Sequence, residues 1–223
     1  MNGMAFPGAA TIRGVVFDLD GVLIQSRAAH AQAFQEVLAT FGITDFNYDR
    51  FAGWRTSEVF RTVLSEHPPA PVTEETIAQC ARRKSQRARE LLGSGDHVAP
   101  DCVPVLEQLC TQYRVALASS GSQASVQAFL DRTGLRPAFR SVLTGDDVAQ
   151  AKPDPEIFRR SMEALALRPE NCVVIEDAVA GVRAARSAGA HAIGMTTEHP
   201  DELKAAGAAC VVRSLGELAQ LLA

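Results

Sequence analysis

Residues 17–21 read Phe-Asp-Leu-Asp-Gly, directly after the apolar run Gly14-Val15-Val16. Two carboxylates, Asp18 and Asp20, therefore stand two residues apart at the end of a β-branched and aromatic strand. Side chains alternate along an extended chain, so both acids project toward one place. Gly21 lets the chain leave the strand in a conformation that other residues resist. One carboxylate of such a pair can attack an electrophile while the other moves a proton. The competing reading is a turn or helix cap, which aspartate also favours.

Three further segments share the pattern. Val115-Ala116-Leu117-Ala118 ends in Ser119-Ser120-Gly121-Ser122 before a helical stretch. Hydroxyls and free N–H groups at a helix start suit an anion, although serine caps helices routinely. Ala151-Lys152-Pro153-Asp154-Pro155 places a lysine between a strand and a proline-led helix. There it can neutralise phosphate charge or steady an aspartate nucleophile, or stand solvated at the surface. Val173-Val174-Ile175-Glu176-Asp177 ends another buried strand in two acids. Adjacent acids repel unless a cation or proton intervenes. With Asp18 they form an all-oxygen set suited to Mg²⁺, a plain turn being the alternative. Strand ends of a parallel sheet gather at one edge, so nucleophile, hydroxyls, cation and metal ligands converge.

The elements that must position these residues are short apolar runs alternating with helical patterns. Strands are expected at 15–17, 115–118, 142–143, 173–175, 192–195 and 210–212. Helices are expected over 102–110 and 124–133, from Asp154-Pro155 onward, and over 179–188. Gly134 and Gly189 are the natural stops of two of them. This alternation implies an α/β, Rossmann-like parallel sheet covered on both faces, a three-layer α/β/α core. About ninety residues separate the first strand from the second, far more than a crossover needs. They carry helical patterns over 28–41, 57–65 and 74–92, with Thr73-Glu74-Glu75 as a helix start and His67-Pro68-Pro69-Ala70-Pro71 as a breaker. The simplest account is a core of residues 1–26 and 94–223 with a helical-bundle cap at 27–93. Its hinges lie near Gln25–Arg27 and Gly93–Asp96. A cap inserted there sits above Asp18 and Asp20, where a lid excludes water and selects substrate.

Composition bounds the rest. The 223 residues are 47% apolar and 22% charged with a formal charge of −4, ordinary for one globular chain. Neither a basic stripe for nucleic acid nor a membrane-spanning apolar run is present. Met1–Ala10 lacks the pattern of a signal peptide and reads as a loose tail. Five cysteines without a Cys-x-x-Cys argue against a disulfide framework or zinc site, and a reducing cytoplasm fits. Neither an internal repeat nor a low-complexity segment stands out.

From Thr11 to its end the chain resembles the haloacid dehalogenase-like hydrolases, the aspartate-nucleophile phosphatases. The residues that carry the resemblance are Phe17-Asp18-Leu19-Asp20-Gly21-Val22, Ser119, Lys152 and Glu176-Asp177. It is similar in particular to the phosphoglycolate phosphatase and β-phosphoglucomutase group, which carries a helical cap after the first motif. The resemblance implies a Mg²⁺-dependent phosphatase that hydrolyses a small phosphorylated metabolite, a sugar phosphate or phosphoglycolate-like compound, through an aspartyl-phosphate. Asp18 would be the nucleophile, and Asp20 the acid and then the base. Ser119, Ser120 and Gly121 would hold the phosphoryl group, and Lys152 would offset its charge. Asp18, the Asp20 carbonyl, Glu176 and Asp177 would hold Mg²⁺. Asp20 argues against dehalogenation, which needs no proton donor. His30 and Lys84 resemble cap residues that handle the sugar in β-phosphoglucomutase. Arg55 stands one residue from that enzyme's phosphate clamp, whose place Thr56 takes. A sugar-phosphate mutase and a non-catalytic phospho-ligand binder are the alternatives, and a monomer or weak homodimer is expected.

Gln25-Ser26 departs from the Asp-Ser or Asp-Thr common in the family, which bears on the hinge and on water positioning. Arg82, Arg83, Lys84, Arg87 and Arg89 either steer anions to the cleft or form a solvated helix face. Trp54, the single tryptophan, either walls the pocket or anchors the cap.

Overall fold

The computed structural model describes residues 9–67, 72–93, 95–196 and 198–223. Residues 1–8 of the expected Met1–Ala10 tail, the proline cluster at 68–71 and hinge residue 94 lie outside the described residues, while Ala9–Thr11 forms a 3-10 turn. The apolar runs form six parallel strands: β1 Gly14–Phe17, β2 Arg114–Ala118, β3 Ser141–Leu143, β4 Cys172–Glu176, β5 His191–Met195 and β6 Cys210–Val212. Their order is β3-β2-β1-β4-β5-β6. Phe17 pairs in register with Leu117 on one side and Ile175 on the other. The chain builds outward from β1 in one direction, then returns to build outward in the other. A parallel sheet opens a crevice at the carboxyl ends of the strands flanking such a reversal, and Asp18 follows β1 at that point.

Alternation sorts the strand residues between two apolar layers. Val15, Phe17, Val115, Leu117, Val173 and Ile175 pack with α4 (Cys102–Leu109), α5 (Gln123–Thr133) and α9 (Leu215–Leu222). Val16, Ala116, Ala118 and Val174 pack on the other face with α6 (Glu156–Ala164), α7 (Val179–Ser187) and α8 (Pro200–Ala205). Near-continuous β-branched runs are what a strand buried on both faces requires. The helix signals act locally as expected in most places. Thr73 Oγ1 accepts from Thr76 N at 3.1 Å, and Gly134 closes α5 in a left-handed conformation. One start shifts: Pro155 is the cap rather than the first residue of α6. Asp154 still contributes, accepting from Glu156 N at 2.9 Å. The short helices α8 and α9 were not expected.

Between β1 and β2, residues 27–93 carry α1 (Arg27–Ala39), α2 (Thr56–Glu66) and α3 (Glu74–Gly93). Phe34, Leu38, Phe51, Phe60, Val63 and Ile77 form an apolar cluster of their own. The rings of Phe34 and Phe60 lie 5.3 Å apart. The two connections to the sheet run side by side: Ile24 bridges Val98, and Gln25 N donates to His97 O at 2.7 Å. Among the described residues, no helix is long and apolar enough to cross a membrane.

Phe60 is fully buried at the centre of this cluster. Phe60→Ala is expected to cost about 3–5 kcal/mol, the range for deleting a buried aromatic side chain. Urea denaturation reads the loss; a change below about 1 kcal/mol would show that the cluster collapses around the gap.

Candidate active site

Asp18 N donates to Ile175 O at 3.0 Å, so the β1–β4 ladder continues to the first acid and fixes its place. Lys152 arrives from the β3–α6 loop and is buried. Its ammonium reaches three acceptors: Asp18 Oδ1 at 2.6 Å, Glu176 Oε1 at 2.7 Å and Ala118 O at 3.2 Å. An ammonium has three protons and no lone pair, so the group is fully satisfied. The Phe158 ring centroid lies 4.9 Å from Nζ. Burial alone would push the Lys152 pKa down, but the Asp18 and Glu176 carboxylates overcome it and hold it up. Burial pushes the Asp18 carboxyl up to about 8; Lys152 opposes this while Glu176 and Asp20 add repulsion.

Carboxylate oxygens of Asp18, Glu176 and Asp177 lie within 4.8 Å of one another. Gly21 makes room for this cluster: at φ +80°, a Cβ there would fall 1.9 Å from Asp177 Oδ2. Both Glu176 oxygens are used, Oε1 by Lys152 and Oε2 by Ala178 N at 3.2 Å. Glu176 therefore anchors the lysine first, and Asp177 and the second oxygen of Asp18 face the space between. Burial raises the Asp177 carboxyl, and repulsion from Glu176, Asp18 and Asp20 adds to it. Crowded carboxylates compensated by one ammonium fit a hard divalent cation with oxygen ligands.

The two acids of the first motif have different surroundings. The Asp20 side chain is not part of the three-carboxylate cluster; its Oδ1 lies 2.8 Å from His30 Nε2. His30 Nδ1 in turn lies 2.8 Å from Lys84 Nζ. A charged lysine only donates, so Nδ1 accepts and Nε2 is the nitrogen that donates to Asp20. Burial would push the Asp20 carboxyl up, but the His30 ring and, further off, Lys84 hold it well below the usual range. Burial pushes Lys84 down to about 8, against the pull of Asp20. Its ammonium also sits 4.4 Å above the Phe34 ring centroid.

A cleft of about 60 Å³ collects Asp18, Asp20, Gly21, Asp177, Ser120 and Gly121 from the sheet edge. From residues 26–84 it collects Ser26, Arg27, His30, Tyr48, Trp54, Thr56 and Lys84 among others. Ser119 is not among the lining residues. It is fully buried, and its Oγ accepts from Gly121 N at 3.0 Å, which shapes the turn. Arg55 requires a correction as a substrate ligand. It does not line the cleft, because its guanidinium is bonded to carbonyls of the β3–α6 loop. Thr56 lines the cleft in its place. Sequence reasoning missed Tyr48 and Phe34, which no motif marks. Ser26, which the sequence placed only at the hinge, is buried and lines the cleft, and its hydroxyl helps to hold the Asp20 carboxyl down.

A switch-point crevice with a lysine-clamped aspartate defines a hydrolase class, and comparison with known proteins shows which. The family profile for haloacid dehalogenase-like hydrolases matches residues 12–189, and the chain belongs to that family. It is similar to a CbbY variant from Rhodobacter sphaeroides in complex with xylulose-(1,5)bisphosphate. That structure is 30% identical with a TM-score of 0.77, over 93% of this chain and 96% of the other. β-Phosphoglucomutase from Clostridium difficile is 26% identical with a TM-score of 0.81, over 93% of each chain. Fructose-1-phosphate phosphatase YqaB of Escherichia coli K12 is 29% identical over 182 residues, 81% of this chain and 94% of its own.

Removing Lys152 would strand two buried carboxylates. Lys152→Ala is expected to cost about 3–5 kcal/mol of stability at neutral pH, the penalty for breaking a buried pair. Denaturant titration with and without the substitution measures it, and an unchanged midpoint would show that the site does not depend on this cation.

Proposed function

We propose that this hydrolase is a Mg²⁺-dependent phosphatase for a small sugar phosphate, working through an aspartyl-phosphate on Asp18. The observation that carries the reading is the division between the two acids. Asp18 is held by Lys152 at the sheet edge, while Asp20 is held separately by His30. Asp18 attacks phosphorus, and the bond to the sugar oxygen breaks. Asp20 gives that oxygen its proton, then takes a proton from the water that hydrolyses the phosphoaspartate. The phosphate dianion entering the cleft brings negative charge, which raises the proton affinity of Asp20 and prepares it for the acid step. The Ser120 and Gly121 turn holds the phosphoryl oxygens, and Lys152, behind Asp18, offsets their charge. Asp18, Asp177 and the Asp20 carbonyl would hold Mg²⁺, which supplies further neutralisation of phosphoryl charge when bound.

Residues 27–93 serve as the lid that selects substrate, hinged at the paired connections around Ile24 and Val98. The named relatives act on or bind phosphorylated sugars, which supports that substrate class here. A mutase must grip a second phosphate, and the uncharged Thr56 lines this cleft where the resemblance puts that clamp, while the Arg55 guanidinium is bonded to loop carbonyls. That favours hydrolysis of a monophosphate. Mutase chemistry remains the second reading because of the likeness to β-phosphoglucomutase. We further propose a cytoplasmic protein, monomeric or weakly dimeric, that engages neither nucleic acid nor membrane.

EDTA is expected to abolish phosphate release and added Mg²⁺ to restore it; turnover that survives chelation would remove Asp177 from the metal site. A panel of sugar monophosphates, scored for inorganic phosphate and for positional isomers, separates the two chemistries. Stoichiometric phosphate from the wild type, with Asp18→Asn lower by about 10³-fold or more, is the expected result. An isomer formed without phosphate release would establish the mutase.

A further inference from the structure

Segment 53–56 touches three core loops at once, and each loop carries a site residue. Gly53 lies at φ +80°, and a Cβ there would come 2.9 Å from Ala178 Cβ, beside Asp177. Glycine alone lets the turn settle so closely. The Gly53 carbonyl accepts a 3.0 Å bond from Ser120 Oγ, in the loop after β2. Arg55, in extended backbone at the N-cap of α2 (φ −65°, ψ 134°), turns its side chain toward the core. Its Nη2 donates to Gly145 O at 2.9 Å and Val148 O at 2.8 Å, and Nη1 donates to Ala149 O at 3.3 Å. Those carbonyls lie in the loop that delivers Lys152. Arg55 and Lys152 wall the same 10 Å³ space.

We propose that Arg55 is a closure clasp and positioning residue: with the lid shut, its guanidinium pins the 145–149 loop and so sets Lys152 against Asp18. This deepens the phosphatase reading and rests on it. A guanidinium is a rigid fork of donors, and carbonyls converging from one loop can be gripped together only when that loop holds a single shape. Lid closure thereby becomes a condition for the correct placement of the lysine. Opening the lid for product release frees the loop, so the site is complete only while water is excluded. The role differs from that of a phosphate clamp: Arg55 touches backbone of this chain, not substrate.

The test uses Arg55→Ala and Arg55→Lys in the full-length protein. Trp54, the only tryptophan, is the neighbouring residue and lines the cleft, so it reports closure. In substrate-free Arg55→Ala, acrylamide quenching of Trp54 is expected to rise about twofold or more, as is amide exchange over residues 145–151. With Mg²⁺ present, kcat/KM is expected to fall about 10- to 100-fold, the loss of one or two charge-assisted hydrogen bonds. The factor should be the same for sugar monophosphates and bisphosphates, and Arg55→Lys should fall between the alanine variant and wild type. Unchanged quenching and exchange in the alanine variant would overturn the clasp. A loss confined to bisphosphates would overturn it in favour of a phosphate ligand. Should wild type release no phosphate from any sugar phosphate, the phosphatase reading fails, while quenching and exchange still decide the clasp.

Discussion

The buried ammonium of Lys152 is the constraint on which the site and much of the fold converge. An ammonium removed from water is costly unless charge and hydrogen bonds replace the water. Here the acceptors come from three adjacent strand ends: Ala118 O from β2, Asp18 after β1, and Glu176 from β4. Those strands are neighbours only because the sheet reverses direction at β1. The lysine arrives from a fourth place, the loop after β3, and its ammonium lies over the Phe158 ring of α6. A register slip in any of the three strands would withdraw an acceptor. Asp18, Glu176 and Asp177 outnumber this ammonium, so ionising all three would leave a surplus of negative charge, which adds to burial in holding the Asp18 and Asp177 carboxyls up. That surplus is what makes the site suited to a divalent cation as well as to a lysine.

Identical residue types two positions apart acquire different chemistry from their surroundings. Period-two alternation brings Asp18 and Asp20 toward the same edge, but the chain turns at Gly21 before the pattern can continue. Asp18 ends the ladder and faces Lys152; Asp20 faces the helical insertion and His30. The sheet thus sets the surroundings of Asp18, the proposed nucleophile, and a residue of α1 sets those of Asp20, the proposed proton carrier. Gln25 fits this scheme despite departing from the family pattern. The hinge bond it makes is from its backbone N–H to His97 O, so side-chain charge at this position is not needed to hold the two connections together.

The strands and the strand-end residues were legible because each leaves a local signature. A run such as Val173-Val174-Ile175 has few competing interpretations, and an acid or lysine next to it inherits its location. The helices α8 and α9 had signatures too, Pro200 with Asp201 and Glu202, and Ser214 capping Glu217 N at 3.1 Å. At six and eight residues they are too short for periodicity to confirm. The lining contributed by Phe34 and Tyr48 was not legible, because it depends on how three helices pack over the crevice. Arg55 shows the limit most clearly. A guanidinium needs acceptors, but sequence does not say whether phosphate or carbonyl oxygens supply them. One residue of offset at the start of α2, in extended rather than helical backbone, sends it to the core instead of the cleft.

The acceptors used between lid and core also bear on how easily the lid can open. Ser120 bonds to a Gly53 carbonyl and Arg55 to three loop carbonyls. Ion pairing between the two parts includes a weak contact, Arg27 Nε at 3.7 Å from Glu198 with both side chains well exposed, a geometry worth little in water, and a part-buried one, Asp20 Oδ1 with His30 Nε2 at 2.8 Å. Neutral carbonyl acceptors exchange protein donors for water at small net cost. The Lys152 contacts lie wholly on the core side of the crevice. On the proposed phosphatase reading, the charge that tips the balance toward closure is left to the substrate, whose phosphate would meet Lys84 and His30 on one side of the cleft and Ser120 and Gly121 on the other.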